Sequence, residues 1–250
     1  MSLKISLGGD LVHYLGVIGF LKVLDEVNLE GVELHCSGFS CIPAILWLSK
    51  KQAAYNTICN LWNDALKLFK GASKPSFENI AESILLLYKM QRRINELDSK
   101  EKLSEFVEKW IPKYDITKDD FIKIHAYNIT KNKDEILTGN SHDILLRTLP
   151  NPLDFSPIDS YISSSWVIGI PEGDVIIYID WFKPFKPKRA TDYLLIATFS
   201  RTSEIIQFAS KNAKTVLKVH LSNSNDIKSI STKFYFVGKE FVKMGLIHKK

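Results

Sequence analysis

Cysteine is scarce: the 250 residues hold three, Cys36, Cys41 and Cys59. Three thiols make no disulfide framework, and their spacing matches no zinc site. The expectation is a reducing, cytoplasmic setting with neither metal nor cofactor. Apolar runs are short as well. The densest, Ile42 to Leu48, has seven residues, against the roughly 18 to 20 that a membrane-spanning helix needs. The chain opens Met-Ser-Leu-Lys-Ile-Ser-Leu, without the apolar segment of a secretory signal. Charge of one sign is not concentrated: 33 basic and 28 acidic residues leave +5, too diffuse to imply a nucleic-acid partner. Repeats, low-complexity tracts and long linkers are missing, so one domain over 1–250 is expected. What remains is ordinary globular composition, 45% hydrophobic and 24% charged, which excludes a disordered or fibrous chain.

Six of the 12 glycines (Gly8, Gly9, Gly16, Gly19, Gly31, Gly38) fall in the first 38 residues, where sharp turns or close backbone approach are therefore expected. Lys4 to Leu7 reads as a strand ending at Gly8-Gly9. Apolar residues at helical spacing run from Tyr14 to Val27. Gly31 stops that helix, and Val32 to Cys36 forms a second strand. Gly38-Phe39-Ser40 turns into a helix from Cys41 to Lys50, with Pro43 suited to its first turn. This βαβα pattern predicts an α/β fold, a mostly parallel sheet flanked by helices.

Residues 51–118 read as a helical insertion, a possible lid or a set of ordinary packing helices. Phe77, Ile80, Ile84, Leu87, Gln91 and Ile94 mark one of its faces. Strands are expected at Phe121 to Thr130, Glu135 to Leu137, Val175 to Ile179, Tyr193 to Thr198 and Val216 to Leu221. A helix is expected from Ser203 to Ala213.

Chemistry concentrates at three points. Ser40 lies on a strand-to-helix turn, its hydroxyl exposed beside the Cys41 N–H: a nucleophile next to an oxyanion donor, or simply a helix N-cap. Gly8-Gly9 follow the first strand, and parallel pairing puts them on the same sheet edge, their N–H groups open to an oxyanion or a phosphate. Asp180 ends the Val175 to Ile179 strand, as a base or as a strand-terminating aspartate. Neither a dinucleotide fingerprint nor a Walker loop is present.

In this order the three resemble the patatin-like phospholipase family. Leu15 to Leu24 (LGVIGFLKVL) looks like the family's first helix, and Gly38-Phe39-Ser40 like the first half of its nucleophile elbow. Phe121 to Gly139 resembles its central hairpin, and Ile162-Ser163-Ser164-Ser165-Trp166 its serine-rich segment. Ile177-Tyr178-Ile179-Asp180 resembles the strand that ends in the catalytic aspartate. The resemblance spans residues 3 to about 245 and rests on order and spacing.

It implies a metal-free serine acyl hydrolase acting on lipid acyl esters, at times peripheral to a membrane. Ser40 would be the nucleophile and Asp180 the base. Gly8, Gly9, Asp10 and Cys41 would line the oxyanion and substrate site, and Gly38 and Phe39 the elbow. Where the family has small residues and then an arginine, this chain has Gly8-Gly9-Asp10-Leu11-Val12-His13. Ile42 replaces the elbow's second glycine, and Trp181-Phe182 replace the two glycines after Asp180. The alternative is a catalytically impaired relative that binds lipid or a protein partner.

Other candidates are weaker. His13 reads as a head-group contact or a solvated loop residue. Ser40, Asp180 and His220 follow the chain order of an α/β-hydrolase triad, but His220 lies in a strand-like run. Lys183, Lys186, Lys188 and Arg189 suit anionic head groups or plain solvent.

Overall fold

The computed structural model describes residues 2–73, 100–151, 154–180, 204–221 and 226–245. The chain opens with strand β1 (Leu3–Leu7), a 3-10 turn over Val12–Val17 and helix α1 (Ile18–Leu24). Strand β2 (Val32–Ser37), a 3-10 turn (Gly38–Ser40), α2 (Cys41–Lys50), α3 (Ala53–Leu68), α4 (Lys70–Ser73) and α5 (Lys100–Trp110) follow. Next come β3 (Asp115–Ile116), β4 (Ile122–Asn128), β5 (Lys133–Leu137), β6 (Gly139–Asn140) and α6 (Ser141–Thr148). The described chain ends with β7 (Tyr161–Ser163), α7 (Ser165–Ile168), β8 (Val175–Asp180), α8 (204–212), β9 (Thr215–His220) and α9 (Ile227–Lys243).

The sheet runs in the order β5-β4-β2-β1-β8-β9. Its neighbours from β4 to β9 are parallel, while β5 and β7 both pair antiparallel with β4. This is the expected α/β class, a mostly parallel sheet flanked by helices. Strand alternation divides the two faces. Ile5, Leu7, Leu34, Cys36, Ile124, Val175 and Ile177 join one core with the helices. Ser6 pairs with His35 and Ile176 on the opposite face, which is the more polar one.

Helix α1 is shorter than the expected Tyr14–Val27 span. Its entry is wound as a 3-10 turn, and its exit tightens into i to i−3 bonds from Asp25, Glu26 and Val27, a common way to use up terminal donors and carbonyls. It packs on α9 so closely that a Cβ on Gly19 would lie 1.9 Å from the Ser231 carbonyl oxygen. Helix α9 lies outside the sequence expectations, yet it carried a readable signal. Asp226 caps it, accepting the N–H groups of Lys228 and Ser229, and Ile227, Ile230, Phe234 and Phe241 repeat at helical spacing.

The described part of the 51–118 insertion belongs to the core. Phe69, 0% exposed, stacks edge-on against Phe39, Phe106 and Phe155 at 4.7, 5.8 and 5.4 Å. The face from Phe77 to Ile94 and the strand from Tyr193 to Thr198 lie outside the described residues. Asp154, buried, fastens the insertion: its two carboxylate oxygens accept the N–H groups of Gly71 and Ala72 at 2.7 and 3.0 Å. Bonds to a charged group are the stronger kind, so Asp154→Ala should lower stability by about 2 to 4 kcal/mol, and Asp154→Asn by less. An unchanged urea midpoint in the alanine variant would refute that role.

Candidate active site

Strand β1 lies between β2 and β8, parallel to both. Their carboxyl ends therefore put Gly8-Gly9, the Gly38–Ser40 turn and Asp180 on one rim. The chain winds to one side of β1 and then to the other, the switch point at which open α/β sheets bind ligands. The two strands that flank β1 stand about 10 Å apart, twice the interstrand spacing.

The loop and the turn interlock. The Phe39 N–H donates to the Gly9 carbonyl at 3.0 Å. A Cβ on Gly9 would lie 1.6 Å from the Ser37 oxygen, and one on Gly38 2.4 Å from the Gly9 oxygen. Gly38 has φ of +57°, a left-handed conformation that costs a residue with a side chain roughly 1 to 2 kcal/mol. The sharp turn thus falls on Gly38, two residues before Ser40. Ser40 itself has helical φ and ψ of −68° and −18°.

Ser40 is 0% exposed, unlike the exposed hydroxyl expected from its place on the turn. It donates to the Ser37 carbonyl at 2.9 Å and accepts the Ser37 N–H at 3.2 Å. Together with the Ser37 side chain this forms a reciprocal capping box, foreshadowed by the spacing Ser37-x-x-Ser40. Two of the expected oxyanion donors are engaged within the fold. The Gly8 N–H donates to Ile177 at 3.3 Å, and the Cys41 N–H to Gly38. The Cys41 side chain is buried beside Cys36, whose thiol is pushed well above its ordinary range by burial first and then by the hydrogen bond and charge of Cys41.

Asp180 faces His220 instead of Ser40. The two are paired in register across β8 and β9, with the His220 Nδ1 3.6 Å from the carboxylate. Among the described residues no hydrogen bond joins Ser40 to Asp180. Asp10 sits half-buried at the rim. His13 is buried, its ring edge-on to Trp62 at 5.9 Å. It is therefore not a solvated loop histidine, because the whole Val12–Val17 turn is buried. Lys183, Lys186, Lys188 and Arg189 lie outside the described residues.

One feature of the rim went unread in the sequence, and a second was noted there only as a serine-rich segment, without its contacts. Tyr14, which marked only the start of a helix, fills the space beside Gly8: its oxygen would lie 2.2 Å from a Gly8 Cβ. It accepts the Ile179 N–H at 3.0 Å and so caps β8 just before Asp180. Burial, and then the charge of Asp10, push Tyr14 well above the usual tyrosine value, so the phenol stays neutral. The second feature is the serine segment. The Ser165 hydroxyl lies 2.6 Å from that of Ser37, and the buried Ser163 Oγ, without a hydrogen-bond partner among the described residues, would lie 2.6 Å from a Gly38 Cβ.

No helix among the described residues is long and apolar enough to cross a membrane. No family model matches this chain, and no curated protein matches it. Among solved structures it is similar to VipD from Legionella pneumophila, with a TM-score of 0.41 and 10% sequence identity. That alignment covers 97% of this chain and 66% of the VipD chain, so this chain spans just under two thirds of its neighbour's length.

Proposed function

We propose that this chain is a serine hydrolase of the lipase type, acting on lipid acyl esters through Ser40 and Asp180, with its site closed in the state described above. The observation that supports this reading is the shared rim, where Gly9, Ser40 and Asp180 end three adjacent parallel strands. Ser40 Oγ attacks the acyl carbonyl carbon as its proton passes to Asp180. The N–H groups of Gly9 and Asp10 hold the oxyanion. The alcohol departs with the proton from Asp180, and water deprotonated by Asp180 then releases the acid and restores Ser40. Opening adds to the barrier. Freeing the Ser40 hydroxyl from its two bonds to Ser37 costs about 2 to 3 kcal/mol, which slows acylation roughly 30- to 160-fold.

A second reading is favoured by the buried, doubly bonded Ser40 hydroxyl and the engaged Gly8 and Cys41 N–H groups. On it, the rim is a scaffold without turnover that binds lipid or a protein partner. Fluorophosphonate labelling separates the two. The hydrolase should label slowly and lose the label in Ser40→Ala. A folded wild type that stays unlabelled, with and without lipid vesicles, would leave the scaffold reading.

A further inference from the structure

A buried line of side chains crosses the polar face of the sheet beside the elbow, and the proposed hydrolysis makes no use of it. His35 on β2 and His125 on β4 meet ring to ring, with His35 Nδ1 2.9 Å from His125 Nε2. Both outer nitrogens meet carboxylates. His125 Nδ1 lies 2.6 Å from Asp134 Oδ2, and His35 Nε2 lies 3.3 Å from Glu33 Oε2. The two side chains are 8% and 10% exposed. The other Asp134 oxygen accepts the Ser164 hydroxyl, so the line ends in the serine segment that packs against Gly38. No third ligand gathers to hold a metal ion among the described residues.

The hydrogens in this line can be counted. A carboxylate only accepts, so each outer nitrogen carries a hydrogen. The central contact takes a single hydrogen, because none would set lone pair against lone pair and two would set N–H against N–H. Three hydrogens on two imidazoles, each neutral with one, leave one positive charge. We infer that His35 and His125 share one proton beyond the neutral state, and that this charge, held between Glu33 and Asp134, pins β5 and the serine segment onto β2 beside the elbow.

The other charges facing the pair among the described residues are Lys4 on β1 and Lys123 on β4. Lys4 opposes protonation of His35. Lys123 stands opposite His35 in register, its ammonium tied to the carbonyls of Lys118 and Asp120. Burial first, and then the charge on His125, lower His35 below the ordinary imidazole value, with Glu33 pulling the other way. That is the direction expected of a ring that refuses a second proton.

The lowered His35 fixes the sign of the linkage: a ring that takes a proton less readily when folded than when unfolded loses stability as the pH falls through the ordinary imidazole value of about 6.5.

Ring nitrogen NMR on the full chain with labelled histidine tests this, with His35→Gln and His125→Gln serving to assign the signals. Three ring N–H hydrogens on the pair are expected in the wild type at about pH 7.5, and two in Asp134→Asn. Two hydrogens in the wild type at that pH, or four at about pH 6, would overturn the inference. The wild-type count decides even where a variant fails to fold.

Discussion

Gly9→Ala is expected to lower stability by about 3 to 5 kcal/mol and to leave the fold marginal. The added methyl would sit 1.6 Å from the Ser37 oxygen and 2.6 Å from its carbon, and backbone cannot swing aside as a side-chain tip can. That carbonyl already accepts the Ser40 hydroxyl, and the next turn is tied back through the Phe39 N–H to Gly9 itself. Relief of the clash would therefore break both bonds. Overpacking alone costs about 1 to 3 kcal/mol, and each bond adds about 1 kcal/mol, against a typical total of about 5 to 15 kcal/mol. Gly31→Ala is the control. Its Cβ would meet nothing within 4 Å at φ of +71°, so only conformational strain of about 1 to 2 kcal/mol applies. Urea midpoints measure both. A Gly9→Ala protein no less stable than Gly31→Ala would mean that the β1 loop is not seated on the elbow.

Most of the fold was legible because its signals are local. The Cys41–Lys50 helix matches its expected span, and β1, β2, β4, β8 and β9 lie within a residue or two of theirs, because strand alternation and a proline in a first turn act within a few residues. Parallel pairing of β1 with β2 followed from the helical crossover that the βαβα pattern places between them. The site was less legible because its decisive contacts are long-range. Ser37 and Ser165 meet across 128 positions, His35 and His125 across 90, and Tyr14 and Ile179 across 165. No periodicity encodes such pairings. The Ser40 geometry was different: Ser37-x-x-Ser40 carried the capping signal locally, but the elbow pattern Gly38-Phe39-Ser40 overlaps it and points to an exposed hydroxyl. What separates the two readings is which residue takes the left-handed turn. That residue is Gly38, since a glycine there adopts positive φ without strain and leaves Ser40 free to enter the helix.

Asp180→Asn should abolish ester turnover while leaving the fold intact, and the contrast between these two effects is what identifies the role. An amide takes up no proton at neutral pH, and loss of a general base typically slows a reaction about 10² to 10⁴-fold. Stability should hardly move. Asp180 is 34% exposed, its partner His220 is 74% exposed at 3.6 Å, and an exposed ion pair contributes at most about 1 kcal/mol. The end of β8 is held by main-chain groups instead, the Ile179 N–H on Tyr14 and the Ile177 carbonyl on Gly8. Matched measurements of ester turnover and urea midpoint on the same preparation check both halves. Full turnover in the variant would remove Asp180 from the reaction, and a large fall in midpoint would make it the strand-terminating aspartate that the sequence also allows. Lost turnover with an unchanged midpoint would mean that Asp180 leaves His220 and reaches Ser40 during the reaction, because the closed site joins neither of them to the other.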